Sequence, residues 1–406
     1  MNLLTLSLAG LRGNGMTHTL NAVLLGLGLG TITLLLLVSG AIGDRMVRDA
    51  RGIDLVVGAK GSPLQLVLST VFQADIPTGN IPLAEADALA HNPMIDREVP
   101  MSLGDAVKGF RIVGTTQDYL GLYNAKLALG QPAQQPMDAV LGAEVARRLK
   151  LGIGDSFVGA HGVAGNGPMH EATPYHVTGI LAPTGSVIDR LVVTPLESVW
   201  LVHERHHLHP EASGVAADHP ETPAREVTAV LLHVRTPLAV VTLPYQINSQ
   251  TNFQAAVPSI EAARLLSTLG FGLDAVRAFA AILIVSSGLG MLIALTTRMR
   301  QRRRELAVLR LLGATPGQLF AMVVIEALLL AGLGAVLGLL FGHIAAWSMQ
   351  TWLPAGNAIA GMDLRGRSSE WLIPALALGV GLVAALIPAL TAYRTNVAQA
   401  LAGNSD

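Results

Sequence analysis

The sequence predicts an α-helical membrane protein with four transmembrane helices and a large mixed α/β domain inserted between the first and second. Three observations predict it. Of 406 residues, 51% are hydrophobic and only 14% charged, a balance too apolar for an ordinary soluble chain. Four stretches are long and clean enough to cross about 30 Å of hydrocarbon at ~1.5 Å per residue. The third is a short basic segment, 298–317, in which six arginines stand against Glu305 alone while the net charge of the chain is −1. An Arg-rich loop beside membrane spans marks the cytoplasmic face.

The elements follow in order. Residues 1–17 carry Leu3, Leu4, Leu6, Leu8 and Leu11 among sparse polar positions, the pattern of an amphipathic helix lying on lipid at the cytoplasmic face; a frayed start of the first span fits nearly as well. Residues 18–43 contain no Asp, Glu, Lys or Arg and form the first span. The small residues Ser39, Gly40 and Ala41 imitate a cleavage site, but the apolar core is too long and its leader too weakly basic for a signal peptide. Residues 44–257 are then external. Phe110 to Thr115 and Tyr175 to Leu181 are short, β-branched and bounded by Gly or Pro, which reads as strands, whereas Leu83 to His91 and Ala143 to Lys150 have helical spacing. With no cysteine in the chain, this domain has no disulfide and must rely on its own core.

Residues 258–273 read as a stalk helix entering the second span, 274–297. The cytoplasmic segment 298–317 follows, with apolar residues at helical spacing between Arg304 and Ala314. The third span, 318–348, has Gly334, Gly338 and Gly342 at every fourth position, a small face suited to a dimer or bundle interface. Its single charge, Glu326, is costly in lipid and is expected to face protein, water or headgroups. A structural polar contact near the helix end is the preferred reading over a proton relay, for which no second intramembrane carboxylate or lysine is available. A short external loop, 349–370, the fourth span, 371–393, and a cytoplasmic tail, 394–406, complete the chain. Both termini are then cytoplasmic and the large domain periplasmic, in a bacterial inner membrane.

This arrangement resembles the MacB/LolCE/FtsX-like family of ABC transporter permeases, the mechanotransmission type. The resemblance is carried by Arg302 to Ala314 with Thr315-Pro316-Gly317-Gln318-Leu319, by Glu326 followed by Gly332, Gly334, Gly338 and Gly342, and by Tyr393 to Leu401. In the external domain it is carried by Val140-Leu141-Gly142, Ala146, Leu149, Leu151 to Asp155 and Val177 to Leu181. It departs from the macrolide exporter at 182–225, where Pro183-Thr184-Gly185-Ser186-Val187-Ile188-Asp189-Arg190 precedes a His-rich loop, so cargo identity is not transferred.

The resemblance implies a permease without catalytic residues, paired with a cytoplasmic ABC ATPase that binds ATP and Mg. The chain contains no Gly-x-x-x-x-Gly-Lys-Ser/Thr loop of its own. It further implies that Arg302, Arg303, Arg304, Glu305, Leu306, Leu309, Leu312 and Gly313 form the ATPase-coupling surface, and that a second copy or a paralogue completes a dimer. Periplasmic movement would then extrude or extract a hydrophobic cargo, lipoprotein or peptide, with an adaptor or substrate protein as partner. The alternative is an FtsX-like signalling subunit that activates a periplasmic hydrolase. Near-zero net charge and the lack of an external basic patch argue against nucleic acid.

Ten of 12 histidines lie between Asp44 and Leu273, five of them at His203, His206, His207, His209 and His219. Imidazole with the neighbouring carboxylates suits zinc, copper or nickel, and His203 and His207 would share a helical face. A solvated loop with incidental metal affinity is the simpler reading; a metal-linked variant of the transporter, with zinc as cofactor, is the sharper one.

Overall fold

The computed structural model describes residues 15–162, 167–170, 172–208, 225–352, 366 and 368–394. The chain divides into two compact units, one holding residues 42–268 and the other residues 1–41, 269–352 and 361–406.

In chain order the described elements begin with α1 (Gly15–Asp49), β1 (Leu55–Ala59), α2 (Pro63–Thr70), β2 (Ile81–Pro82), α3 (Leu83–Ala90), β3 (Ile95–Val107), β4 (Phe110–Thr115) and α4 (Asp118–Leu122). There follow β5 (Leu127–Gly130), β6 (Asp138–Leu141), α5 (Ala143–Leu149), β7 (Ser156–Phe157), β8 (Ala160–His161), β9 (Tyr175–Leu181), β10 (Leu191–Pro195) and α6 (Leu196–Leu208). Then come β11 (Glu226–Val227), β12 (Ala229–Val234), α7 (Pro237–Gln250), β13 (Phe253–Ala256), α8 (Pro258–Gln301), α9 (Arg303–Leu311), α10 (Pro316–Trp352) and α11 (Leu372–Tyr393).

The α/β unit is built on one 11-stranded sheet in the order β13-β1-β12-β3-β4-β10-β6-β9-β5, with β8 added to β3 and β7 to β9. Most pairs are antiparallel; β10 with β4 and β6 with β9 are parallel. Helices cover both faces, so the central strands are apolar at successive positions, as strands buried on both sides must be. On β1, Val56 enters one core while Leu55 and Val57 enter another. On β12, Ala229 and Leu231 alternate in the same way with Val230 and Leu232, the period of two that a pleated strand imposes. A third core gathers Phe110, Ile112, Leu141, Val145, Tyr175 and Val192. The strands expected at 110–115 and 175–181 have those bounds, and α3 and α5 stand where helical spacing placed them. Lys150 ends α5 in a left-handed conformation.

The second unit holds helices long and apolar enough to cross a membrane. Alanines run through its core, Ala327, Ala331, Ala335, Ala377, Ala384 and Ala385, packed with larger residues such as Leu25 and Leu29. Helix axes can approach closely where side chains are this small. The glycine face of α10 is used within the chain. A Cβ on Gly338 would meet Leu29 Cβ at 2.6 Å, one on Gly342 would meet Thr33 Cβ at 2.5 Å, and one on Gly334 would meet Leu25 Cδ2 at 2.7 Å. Of the two uses expected of this face, the structure shows the bundle contact, with α1. The first span also supplies glycines that the sequence reading passed over: Gly26 and Gly30 face α10, and Gly28 faces Ile284 on α8.

Several expected segments lie outside the described residues: the amphipathic start before residue 15, most of the loop at 349–370, and the tail beyond Arg394. His209 and His219 do so as well. The backbone at His203, His206 and His207 belongs to α6, so the histidine-rich stretch begins on a helix and not in a loop.

Candidate functional site: the basic segment and the polar groups around it

The short helix α9 is defined by its two ends. Leu312 closes it, and Gly313 follows with φ of +96°, a left-handed conformation that a residue without Cβ adopts at no steric cost. Gly313 N–H donates to the Arg310 carbonyl at 3.1 Å and Ala314 N–H to the Leu309 carbonyl at 3.0 Å, the paired bonds of a Schellman ending. One residue later a new helix begins. Thr315 Oγ1 accepts from Gln318 N–H at 3.3 Å, and Thr315 N–H donates to Gln318 Oε1 at 2.9 Å, a reciprocal capping box with Pro316 at the first helical position.

The three leucines expected to form a coupling ridge, Leu306, Leu309 and Leu312, separate in the structure. Leu306 is 3% exposed and packs with Met299, Leu319, Val323, Ala389 and Ala392. Leu309 is half-buried against the same cluster, and Leu312 is 79% exposed. A ridge spaced by three residues drifts by ~60° per step on a helix of 3.6 residues per turn, so the three cannot share one face. The apolar surface left open consists of Val308, Leu311 and Leu312, opposite Leu306. The expected ridge is corrected accordingly: Leu306 is a core residue of the membrane unit. Arg302 pairs with Glu305 at 3.5 Å, and Arg303 and Arg304 lie in the first turn of α9.

Beneath this segment Glu326 is 1% exposed and paired with the Arg298 guanidinium. His18 Nε2 lies 3.3 Å from Arg298 Nη1 and 4.0 Å from the Glu326 carboxylate. The cluster joins α1, α8 and α10. An ion pair held in a dry interior needs a close partner to offset lost hydration. Arg298, counted in the sequence with the cytoplasmic segment, supplies that partner.

A second polar cluster lies in the α/β unit. The segment Pro183 to Arg190 folds around Asp189. Its carboxylate accepts from Thr184 N–H at 2.9 Å, Gly185 N–H at 2.8 Å and Thr184 Oγ1 at 2.8 Å. The turn is fastened to the end of α1, where Val187 N–H donates to Asp49 Oδ1 at 2.7 Å and Arg48 Nε donates to the Gly185 carbonyl at 3.1 Å. Arg45 pairs with Asp49 at 3.4 Å. Burial, with the nearby Arg45 charge, draws the Arg190 guanidinium down to about 10.

Two family models match the chain: "MacB-like periplasmic core domain" over residues 19–262 and "FtsX-like permease C-terminal" over residues 277–397. The macrolide export ATP-binding/permease protein MacB of Nitrobacter winogradskyi is 25% identical over 325 residues. That alignment covers 74% of this chain, and the chain spans 47% of that protein's length. Among solved structures, the periplasmic region of MacB from Actinobacillus actinomycetemcomitans aligns with a TM-score of 0.34 at 12% identity, over 54% of this chain and 97% of that one. The extracellular domain of the noncanonic ABC-type transporter YknZ from Gram-positive bacteria aligns with a TM-score of 0.29 at 12% identity, over 50% of this chain and 98% of that one. The chain belongs to the ABC transporter permease family that joins a MacB-like periplasmic core domain to an FtsX-like membrane region.

Proposed function

We propose that this chain is the transmembrane subunit of an ABC transporter whose ATP hydrolysis occurs in a separate cytoplasmic ATPase, and that it converts closure of that ATPase into movement of the periplasmic domain. The observation that carries the reading is the exposed Val308, Leu311 and Leu312 surface on α9, within a segment that carries six arginines between residues 298 and 310. Charge orients a partner there and the apolar surface gives burial on docking. A push on α9 reaches α10 through the closed turn at Gly313 and Thr315. The α8 helix, Pro258–Gln301, covers both the stalk and the second span of the sequence reading and is the route outward. The cargo is hydrophobic, a lipoprotein or peptide, engaged at the periplasmic face.

The orientation proposed puts both termini in the cytoplasm. Trp347, Trp352 and Trp371 are exposed where α10 ends and α11 begins, as in an interfacial aromatic belt, which occurs at either membrane face; the arginine bias is what supports the orientation. The arginines of 298–310 and Arg394 lie at the opposite ends of these helices. Two protomers are expected, and the contact between them uses a face other than Gly334, Gly338 and Gly342, which is filled by α1.

The test is gentle purification of the chain from its native membrane with mass spectrometry of what accompanies it, repeated with Arg302, Arg303 and Arg304 changed to Glu. A co-purifying ATPase that is lost in the triple variant supports the assignment, and an adaptor or acylated protein alongside names the cargo class. A cell-wall hydrolase in that place would move the reading to signalling. Purification without any ATPase would remove the proposal.

A further inference from the structure

Outside the segment just described, one cluster of potential metal-binding side chains stands, among the described residues, on the α/β sheet. Asp105 Oδ1 lies 3.1 Å from His161 Nδ1 and 3.5 Å from His170 Nε2, and the three ligand atoms fall within 4.8 Å of one another. The two imidazole rings are edge to face with centroids 4.4 Å apart. Asp105 and His170 are buried and His161 half-buried. From these positions we propose that Asp105, His161 and His170 form a divalent transition-metal site of the zinc class, with three protein ligands and a fourth position for water. It goes beyond the permease reading and does not depend on it.

Backbone pairing, not the side chains, brings the three together. Asp105 and His161 are direct cross-strand partners on β3 and β8. Gly162 N–H donates to the Gly104 carbonyl at 3.0 Å, Ala160 bridges to Met169, and His170 N–H donates to the Gly159 carbonyl at 3.0 Å. The β3–β4 register shifts between Leu103 and Ala106, and a bulge of this kind re-aims a side chain. Asp105 sits inside that shift. Gly159 permits the close approach, since a Cβ there would meet Ile112 Cδ1 at 2.9 Å and Asp105 Oδ2 at 3.5 Å.

The spacing suits a small cation. With zinc bonded to nitrogen and oxygen at about 2.0–2.2 Å, the ligand atoms of a tetrahedron stand roughly 3.3–3.6 Å apart; of the two separations from Asp105, 3.5 Å falls in that range and 3.1 Å lies just below it. Two neutral imidazoles and one carboxylate form a donor set suited to zinc, with cobalt as its spectroscopic substitute. Access exists: Asp105 and Gly162 line a cavity of about 230 Å³ shared with Ile76, Pro77, Leu103 and Arg111. Arg111 does not claim Asp105, because its guanidinium donates to the carbonyls of Ser69, at 3.2 Å, and Asp75.

The experiment must separate this site from the histidine-rich stretch. The full chain is purified in detergent with His203, His206, His207, His209 and His219 changed to Gln, stripped with a chelator, and titrated with Co²⁺ and then with Zn²⁺ against a chromophoric competitor. One equivalent with a tetrahedral Co²⁺ spectrum is expected, displaced by Zn²⁺. In that background His161→Gln, His170→Gln and the isosteric Asp105→Asn should each weaken binding by more than the roughly 10–100-fold that loss of an outer partner costs, with the metal-free circular dichroism unchanged. Absence of stoichiometric binding in the loop-substituted chain, or one equivalent that survives the Gln and Asn changes, overturns the site.

Discussion

The buried carboxylate of Asp49 accepts the backbone N–H of Val187 at 2.7 Å, which fastens the end of α1 to the turn that Asp189 closes. Arg45 is buried beside it and Arg190 is half-buried there. Replacing Asp49 with Ala strands that positive charge, and breaking one side of a buried pair typically costs about 3–5 kcal/mol. Thermal unfolding in detergent should show a large loss for Asp49→Ala and a smaller one for Asp49→Asn, which keeps an acceptor for Val187. An unchanged transition in Asp49→Ala would remove the anchoring role.

The Arg298 and Glu326 pair makes a related but separable prediction. Glu326→Ala should destabilise the membrane unit by about 3–5 kcal/mol, while the paired change Arg298→Met with Glu326→Leu should recover much of the loss, because apolar residues of similar volume often replace a buried pair without penalty. A double-mutant cycle read by thermal denaturation measures the coupling. Additive losses would mean that the two side chains do not act together.

Helix α10 offers a test of close packing with an internal control. A side chain at Gly338 collides with Leu29, whereas Gly332 has nothing within 4 Å of its would-be Cβ. Gly338→Val should cost about 1–3 kcal/mol or more, as overpacking does, and Gly332→Val should be nearly silent. Equal effects on detergent stability would argue against the α1 contact.

The two faces of α9 should respond differently to charge. Leu311→Asp and Leu312→Asp are expected to abolish association with the ATPase at wild-type thermal stability, since both side chains are exposed. Leu306→Asp should lower stability itself, because it places a carboxylate among Met299, Leu319 and Val323. Pull-down and melting measured on the same preparations distinguish the two; loss of stability in Leu312→Asp would contradict the assignment.

A pH response is expected from Glu98 on β3. Burial, with the nearby Asp87 charge, pushes its carboxyl up from 4.5 to about 7. A raised folded-state value means that the folded protein holds the proton more tightly than the unfolded chain. The contribution is therefore complete below pH 4.5 and is lost as pH rises through 7, on the order of 1–3 kcal/mol after allowing for solvent screening. Glu98→Gln should flatten stability across that window; an unchanged slope would assign the response to other groups.

Much of the architecture is readable in the chain because its signals are local. Uncharged runs, the β-branched stretch from Phe110 to Thr115 and the basic segment each declare an element without reference to anything distant. The pairings are less readable. Nothing near Glu326 in sequence points to Arg298, which is brought to it by the packing of two helices, and Asp49 meets Val187 across a sequence separation of 138 residues. Gly26, Gly28 and Gly30 were readable in principle as a small-residue run matching that of α10. Thr315-Pro316-Gly317-Gln318 carries its capping box openly. The leucine ridge shows the limit of counting apolar residues: spacing of three looks like a stripe on paper and becomes a spiral on a cylinder.

The closed turn between α9 and α10 has a mechanical meaning. Bonds between Leu309 and Ala314 and between Thr315 and Gln318 leave this elbow little torsional slack. In the coupling role proposed above, such a joint would act as a crank and not a hinge: a load applied to the short arm would arrive at the long one as torque, and a substitution that softened the corner would waste the stroke while leaving every proposed docking side chain in place.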